Sequence, residues 1–233
     1  VQDALRALPG VSVASTGDSV TAVYIRGGES NHVKVLIDGV EANDTTNGTY
    51  SFSGLSASNI AKIEVVRGPQ SALYGTSAMS GVISITTKRA EHPGTTYGGG
   101  FEIGEGDQYS GNLYVRHGVG NGQLSFAADT RRSDYNSGSE YSGGAVPNEA
   151  QTYTLNGDTQ LANGMALGFS LRKFDQSYDY YGTNTGVAGP EYYLTKGSDS
   201  VDRDELSGAL WLEAEALGGQ LLNRFELSAM DQD

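Results

Sequence analysis

The spacing of hydrophobic residues changes near Pro93, and this change predicts two structural parts. In the first part the spacing is mixed, with Val1, Leu5 and Leu8 at helical intervals and short β-branched runs further on. In the second part apolar and polar residues alternate, which is typical of strands with one buried face. We therefore predict an α+β domain over residues 1–92, followed by antiparallel strands over residues 93–233.

Short strands and turns are predicted within residues 1–92. The helix over the first residues should stop at Pro9-Gly10. The stretch Asn43–Tyr50 is rich in Asn, Asp and Thr and is predicted to be an exposed loop. Strands are predicted over Val20–Arg26, His32–Asp38, Ala61–Arg67 and Gly81–Lys88.

Seven alternating segments are predicted in the second part, and their connections differ in length. Alternation also occurs in soluble β-sandwiches, so the connections decide between the two folds. Short connections such as Gly118–Gly122 and Ala162–Gly164 alternate with the long polar stretches Arg132–Ala150 and Asp175–Asp204. Brief turns at one end and long loops at the other are typical of outer-membrane β-barrels. The segments begin near Thr95, Tyr109, Gly122, Gln151, Gly164, Glu205 and Gln220.

Strands of such a barrel expose one face to outer-membrane lipid and the other to the barrel interior. Asp129 and Arg172 fall on the polar faces and should point inward. The residues predicted to face lipid are Leu124, Phe126, Leu167, Phe169 and Leu171.

Composition and charge exclude several classes of function. The chain has 15 Lys and Arg against 28 Asp and Glu, a net charge of −13, so no nucleic acid partner is predicted, because phosphate binding needs a basic face. The absence of cysteine excludes disulfides and thiolate metal sites. The histidines, His32, His92 and His117, are far apart in sequence. The sequence therefore does not predict an enzyme, and we assign no catalytic residue.

The segment Ile63–Thr87 contains the most specific motif of the chain. It includes E-V-V-R-G-P-Q-S-A-L-Y-G, followed by G-V-I-S-I-T-T. Other motifs precede it in order, namely the opening V-Q-D-A-L-R-A-L-P-G-V, the triplet I-R-G at 25–27 and V-L-I-D-G-V at Val35–Val40. Together they resemble the plug domain of TonB-dependent outer-membrane transporters, and the resemblance covers the whole of residues 1–92.

This resemblance implies a fold, a location and a partner. The plug of such a transporter lies inside a 22-stranded barrel in the bacterial outer membrane, so the strands here would be the amino-terminal part of that barrel. Seven strands leave unpaired edges, which are costly in lipid, and we therefore expect the chain to belong to a longer one. The energising partner would be TonB, which contacts a segment of the transporter upstream of the plug.

The resemblance also assigns a role to Arg26 and Arg67. Each ends a predicted strand and precedes a glycine. In the family these two arginines are thought to pair with acidic residues of the barrel, which locks the plug until TonB acts. A buried arginine needs such a partner, because an unpaired buried charge is costly. The alternative is that both are solvated arginines at strand ends.

Acidic residues in the two long stretches are candidate ligands for a structural Ca²⁺. Calcium takes six to eight oxygen ligands, which two adjacent acidic loops could supply. The cobalamin-transporting branch of the family holds calcium in the same loops. The matching residues here are Asp134, Glu149, Tyr178, Asp179 and Glu191. The alternative is that these loops are acidic for solubility.

The resemblance predicts active uptake of a large nutrient. The uncharged polar side chains of this loop, those of Asn43, Asn47, Thr49 and Tyr50, suit a substrate that is recognised by hydrogen bonds. The motifs and the loop layout resemble the cobalamin branch most, so cobalamin is the predicted substrate. A ferric siderophore or haem is the alternative within the family. A non-transport fragment that binds at the cell surface is the alternative outside it.

Overall fold

The computed structural model describes every residue except 17–19, 106, 136–145, 162–163, 184–193, 217–220 and 233. We call residues 1–92 the inner domain and residues 94–232 the wall. No helix in the described part of the chain is long and apolar enough to cross a membrane.

The inner domain combines short helices with a small mixed sheet. β1 and β2 form an antiparallel hairpin of their own. The remaining strands form a sheet in the order β4-β3-β6-β5, in which β3 and β6 run parallel. This arrangement confirms the predicted α+β fold. In chain order the elements are α1 (Gln2–Arg6), β1 (Val11–Thr16), β2 (Val20–Ile25), a 3-10 turn (Ser30–His32), β3 (Val33–Ile37), β4 (Val40–Glu41), β5 (Ile60–Arg67), α2 (Ser71–Tyr74) and β6 (Gly81–Thr87).

The core of the inner domain lies between its sheet, the β1–β2 hairpin and α1. Every second residue of β3 is buried, as expected for a strand with one face on a core. Leu5 of α1 and Phe52, which follows the sheet's first hairpin, close this core, and both are almost inaccessible to solvent. The other buried members include Val23, Ile25, Val33, Val35, Ile37, Ile83 and Ile85.

A turn after β3 fixes the direction of the chain that follows. Asp38 has a positive φ of 49°, a region that Asp adopts more readily than most residues. Its carboxylate accepts hydrogen bonds from the Thr87 backbone N–H at 2.9 Å and from the Thr87 hydroxyl at 2.6 Å. The end of β3 is thereby tied to the end of β6, so the loop beyond β4 starts from a fixed point.

The wall is a seven-stranded antiparallel sheet in which each strand pairs with its neighbours in sequence. This confirms the predicted series of antiparallel strands. Among the described residues, the first and last strands each pair on one side alone. The strands are β7 (Gly94–Ile103), β8 (Tyr109–Val119), β9 (Gly122–Tyr135), β10 (Val146–Gln160), β11 (Met165–Thr183), β12 (Leu194–Ala216) and β13 (Leu221–Gln232).

The two faces of the wall differ in the way that the alternation predicts. Asp129 and Arg172 are buried on the face that packs against the inner domain. The opposite, outer face exposes large apolar side chains, a surface that is rarely left uncovered. The residues predicted for it are exposed (Leu124, Phe126, Leu167, Leu171) or half-buried (Phe169).

The strands of the wall are longer than predicted, which corrects the bounds of the two long loops. β9 continues to Tyr135 and β10 begins at Val146, so both ends of Arg132–Ala150 are strand. In the same way β11 continues to Thr183 and β12 begins at Leu194. Near these ends both faces are polar, so the alternation is lost. The backbone ladder continues because its hydrogen bonds do not depend on side-chain hydropathy.

The inner domain departs from the prediction at several points. The short elements β4 and α2 were not predicted. Strand β1 was not predicted, because its sequence V-S-V-A-S-T offers only two valines among small residues. The loop Asn43–Tyr50 is not exposed throughout, since Asn43 and Tyr50 at its ends are buried.

Candidate functional site

The interface between the inner domain and the wall is built largely from polar side chains. Asn59, which precedes β5, lies at its centre. The Asn59 amide oxygen accepts a hydrogen bond from Arg116 Nη2 at 2.9 Å, and its Nδ2 donates to Thr154 Oγ1 at 2.8 Å. Further along β10, Asn156 Nδ2 donates to Thr87 Oγ1 at 3.0 Å. These bonds satisfy polar groups that would otherwise be buried without partners.

Charged groups reinforce the same interface near the end of β6. Arg89 Nη1 and Asp158 Oδ2 form an ion pair at 2.7 Å. The Ser58 hydroxyl donates to the buried carboxylate of Asp129, and Lys88 Nζ donates to the Ser58 carbonyl oxygen at 2.8 Å. The inner domain is thus fastened to β9 and β10 by contacts on both sides of Asn59.

A buried charge cluster lies further along the wall, on β11 and β12. Glu205 is completely inaccessible to solvent. Its Oε1 pairs with Arg172 Nη1, and its Oε2 pairs with Arg203 Nη2 at 2.9 Å. The guanidinium of Arg172 lies 4.7 Å from the Phe174 ring centroid. One buried and one partly buried cation therefore share one buried anion, an arrangement that is stable only when the charges remain paired.

Tyr50 of the inner domain packs directly against this cluster. The Arg203 guanidinium carbon lies 5.2 Å from the Tyr50 ring centroid, and Phe52 meets the ring edge-on at 4.8 Å. Burial raises the pKa of the Tyr50 phenol, while the nearby Arg172 and Arg203 charges oppose this shift. The hydroxyl oxygen has no hydrogen-bond partner among the residues that the structure describes.

The loop between β4 and Tyr50 is held in shape by its own side chains. Asn43 Oδ1 accepts from the Val35 backbone N–H at 2.7 Å, while its Nδ2 donates to the carbonyl oxygens of Val33 and Gly48 at 2.9 and 2.8 Å. Asp44 Oδ1 caps the next turn by accepting from two backbone N–H groups. Asn43 therefore braces the loop and does not present its amide to solvent.

A cleft of about 320 Å³ separates this loop from the wall. Asn47 and Thr49 line it from the inner domain, and Tyr178 and Arg203 line it from the wall. Asn47 Oδ1 accepts a hydrogen bond from the Thr49 hydroxyl at 2.6 Å, which orients both side chains. The cleft thus contains uncharged hydrogen-bonding groups beside one guanidinium and the carboxylates of Asp44 and Asp202.

Of the predicted substrate-contacting residues, two line this cleft and two support it. Asn47 and Thr49 are accessible there, whereas Asn43 and Tyr50 are buried below the loop. Their role in substrate binding stays a prediction.

Arg26 and Arg67, the predicted locking residues, lie close to each other at the ends of β2 and β5. Arg26 has a positive φ of 51° and packs beside Gly68, and Arg67 Nη1 donates to the carbonyl oxygen of Pro9. Both side chains are exposed, and neither forms an ion pair with an acidic residue in the part of the chain that the structure describes. Their locking role stays a prediction.

The predicted calcium ligands lie on neighbouring strands but on different faces. On the outer face, Arg132 pairs with Glu149 Oε1 at 2.5 Å and with Asp134 Oδ1 at 3.5 Å. Tyr178 lies on the inner face, where it lines the cleft, and Asp179 follows it on β11. Among the described residues no three His, Asp or Glu side chains are grouped for a metal. Glu191 lies outside the described residues, and the calcium site stays a prediction.

Arg203 and Glu205 have no counterpart among the sequence-based candidates. Both lie at the edge of the stretch predicted as a long loop, and their partners are about 30 residues away or in the inner domain. One feature of the sequence could have identified them. Arg203 and Glu205 form an R-x-E pattern ahead of the apolar run of β12, and this spacing of two places both side chains on the inner face.

Comparison with known proteins places the chain beside outer-membrane receptors. Residues 1–82 match the family described as "TonB-dependent Receptor Plug Domain". The vitamin B12 transporter BtuB of Vibrio vulnificus (strain YJ016) is 31% identical over 217 residues, which are 89% of this chain and 35% of that protein. The chain therefore spans about a third of the length of that relative.

Solved structures with the same fold include receptors for other cargo. The siderophore receptor PirA from Acinetobacter baumannii matches 99% of this chain and 37% of its own, with a TM-score of 0.70 and 19% identity. The copper transporter OprC matches 100% and 34%, with a TM-score of 0.73 and 18% identity. At these identities the likeness concerns the fold alone.

Proposed function

Because this chain belongs to the TonB-dependent receptors, a family of bacterial outer-membrane proteins that are not enzymes, we propose that it forms the plug and first barrel strands of a cobalamin importer. The inner domain is the plug, and the wall is part of the barrel around it. Uptake is driven by TonB, and the apolar outer face of the wall contacts outer-membrane lipid.

The similarity to the Vibrio vulnificus vitamin B12 transporter is the observation on which the choice of cobalamin rests. It extends through 89% of the chain, including both the plug and the strands. The siderophore, iron and copper receptors and transporters among the structural neighbours are only 15–19% identical to the chain. Their likeness therefore supports the fold and not a substrate.

The cleft supports a substrate that is recognised mainly by hydrogen bonds. Asn47 and Thr49 offer uncharged donors and acceptors on a loop whose shape is fixed by Asn43 and Asp44. A fixed loop binds with less loss of conformational entropy than a mobile one. In this proposal Asn47 and Thr49 contact cobalamin, while Asn43 and Tyr50 position the loop.

Binding of cyanocobalamin to the protein purified from outer membranes tests this proposal. We expect calorimetry to detect saturable binding to the wild type that is weakened in an Asn47→Ala, Thr49→Ala double variant. Thr96→Ala is the matched control, because Thr96 is exposed on β7, away from the cleft. Binding of a ferric siderophore or haem in place of cyanocobalamin would assign the chain to another branch.

Uptake separates a transporter from a fragment that only binds. A bacterium that lacks its own cobalamin receptor should regain cobalamin-dependent growth when it expresses the protein, and only if TonB is present. Binding without TonB-dependent growth would support the surface-binding alternative.

A further inference from the structure

We infer that Arg203, held in place by Glu205, is a positioning residue that fixes the loop 42–52 of the inner domain against the wall. This loop contains the proposed cobalamin contacts. The effect on ligand affinity rests on the proposed function, whereas the effect on the loop itself does not.

The Arg203 side chain contacts the inner domain as well as several strands of the wall. Its Nη2 donates to the Ala42 carbonyl oxygen at 3.4 Å and pairs with Glu205 on its own strand. Its guanidinium lies over the rings of Tyr50 from the inner domain and Phe174 from β11, at 5.2 and 5.4 Å. With its side-chain amide turned over, Gln232 of β13 places its oxygen 2.9 Å from the Arg203 Nε, where it accepts a hydrogen bond. One side chain thus bridges the inner domain and three strands.

Burial makes this position hard to leave. The side chains of Arg203, Arg172 and Glu205 are 13%, 6% and 0% exposed. Arg172 pairs with one carboxylate oxygen of Glu205, and Arg203 pairs with the other. If Arg203 rotated away, Arg172 and Glu205 would have to rearrange where water is excluded. The guanidinium fork also permits simultaneous bonding and stacking, which an ammonium group cannot provide.

The loop that Arg203 contacts is continuous with the sheet of the inner domain. The Ala42 backbone N–H donates to the Val35 carbonyl oxygen at 2.9 Å, so residue 42 is bonded to β3 on one side and to Arg203 on the other. Tyr50 lies near the other end of the loop, and its ring packs against the same guanidinium. Both ends of the loop are therefore fixed by one residue of the wall.

Arg203 also lines the cleft opposite Asn47 and Thr49. A loop that is already ordered binds its ligand with an apparent affinity close to the intrinsic one. If the ordered state is populated only in part, the apparent dissociation constant rises by the reciprocal of that fraction.

Hydrogen exchange of the ligand-free protein, purified from outer membranes, tests the loop. We expect Arg203→Lys to speed exchange of the amides in residues 42–52 by about tenfold or more, because hydrogen bonds to a charged group are lost. Arg224→Lys is the matched control, since Arg224 also pairs with two carboxylates and stacks on the Trp211 ring but does not line the cleft. Equal exchange in residues 42–52 for Arg203→Lys and wild type, or an equal rise in the control, would overturn the inference.

Variants of the inner domain provide a second test in which the wall is unchanged. Tyr50→Leu removes the aromatic face beneath Arg203 and should also speed exchange across the loop. Tyr50→Phe keeps that face and loses only a hydroxyl without a partner in the described structure, so it should resemble the wild type. The inference fails if Leu and Phe behave alike.

The ligand measurement uses cyanocobalamin as the probe. We expect Arg203→Lys to raise its dissociation constant by the reciprocal of the fraction of the loop that remains ordered, as hydrogen exchange measures it, with Arg224→Lys unchanged. Wild type that binds no cyanocobalamin would refute the proposed function, while the exchange results would still decide the role of Arg203. An unchanged dissociation constant in Arg203→Lys, with an ordered fraction that exchange shows to have fallen severalfold, would overturn the link to affinity.

Discussion

Tyr50 places a phenol where two guanidinium groups and a carboxylate already lie. The desolvation that raises its pKa acts against the phenolate, and the two arginine charges reduce this effect without reversing it. A neutral phenol is thus the form that the folded protein favours. As a neutral phenol, Tyr50 of the inner domain adds no charge to those that Arg172, Arg203 and Glu205 already place in the wall.

The free energy of unfolding should fall as the pH rises through the ordinary pKa of tyrosine, near 10.0. Above that pH the unfolded chain releases the Tyr50 proton while the folded protein retains it, so the unfolded state binds fewer protons and stability falls. Tyr50→Phe should lose less stability over this range. Urea unfolding in lipid vesicles, from about pH 8 to 11, measures the difference between the two proteins. Parallel pH profiles would contradict the raised pKa.

Glycine at one position of β11 admits the only tryptophan of the chain. Gly168 is paired with Trp211 of β12, and both face inward. A Cβ on Gly168 would overlap the indole ring. The glycine is therefore required by a close approach between neighbouring strands and not by its backbone angles.

Gly168→Ala should lower the free energy of unfolding by about 1–3 kcal/mol, because the indole has to move in a packed interface. Gly100→Ala on β7 is the control, since a Cβ there would meet only Asn112 Nδ2, at 3.4 Å. Its effect should be within about 0.5 kcal/mol. Urea titration of the refolded proteins compares them, and equal losses would refute the packing argument.

Calcium binding stays a prediction at the ends of β9, β10 and β11. Because Arg132 lies between Asp134 and Glu149, a cation would have to displace it to use both carboxylates. If calcium orders these ends, the affinity for cyanocobalamin should rise with calcium, and Asp179→Ala should remove the gain. Asp107→Ala is the control, because Asp107 lies in the connection between β7 and β8. Equal affinity in calcium and in chelator would indicate a solvated acidic surface.

The elements of this fold differ in how well the sequence predicts them. β7 to β13 follow from alternation because outward-facing and inward-facing positions differ in hydropathy, as in the series Leu167, Phe169 and Leu171. The polar ends of the same strands lack that contrast. The cluster of Arg172, Arg203 and Glu205 depends on the register between β11 and β12, which alternation alone does not determine.

At the scale of the whole molecule, the wall has an apolar outer face and a polar inner one. β12 alone has 23 residues, more than the 9–11 or so that cross a bilayer, so in a membrane it would extend beyond the hydrocarbon. The apolar part of its outer face includes Leu210, which is 54% exposed. Ser200 lies on the same face of the same strand, ten residues earlier and exposed as well.

Arginine should therefore be costly at one position of β12 and tolerated at another. Leu210→Arg should lower the free energy of unfolding in lipid vesicles by about 2–4 kcal/mol, whereas Ser200→Arg should cost about 0–1 kcal/mol. The difference arises because lipid cannot solvate the guanidinium. Urea unfolding of both variants measures it. Similar costs at the two positions would show that the outer face does not contact lipid.

The polar boundary between the inner domain and the wall determines how readily the two can slide. Contacts such as Asn59 with Thr154 and Asn156 with Thr87 are ones that water can replace nearly bond for bond. Each replacement of such a hydrogen bond by one to water costs about 0.5–1.5 kcal/mol. An apolar boundary would resist separation more, because separation exposes apolar area to water. With water replacing its contacts in this way, the boundary offers little resistance to sliding. The buried carboxylate of Glu205 is the point at which resistance is high.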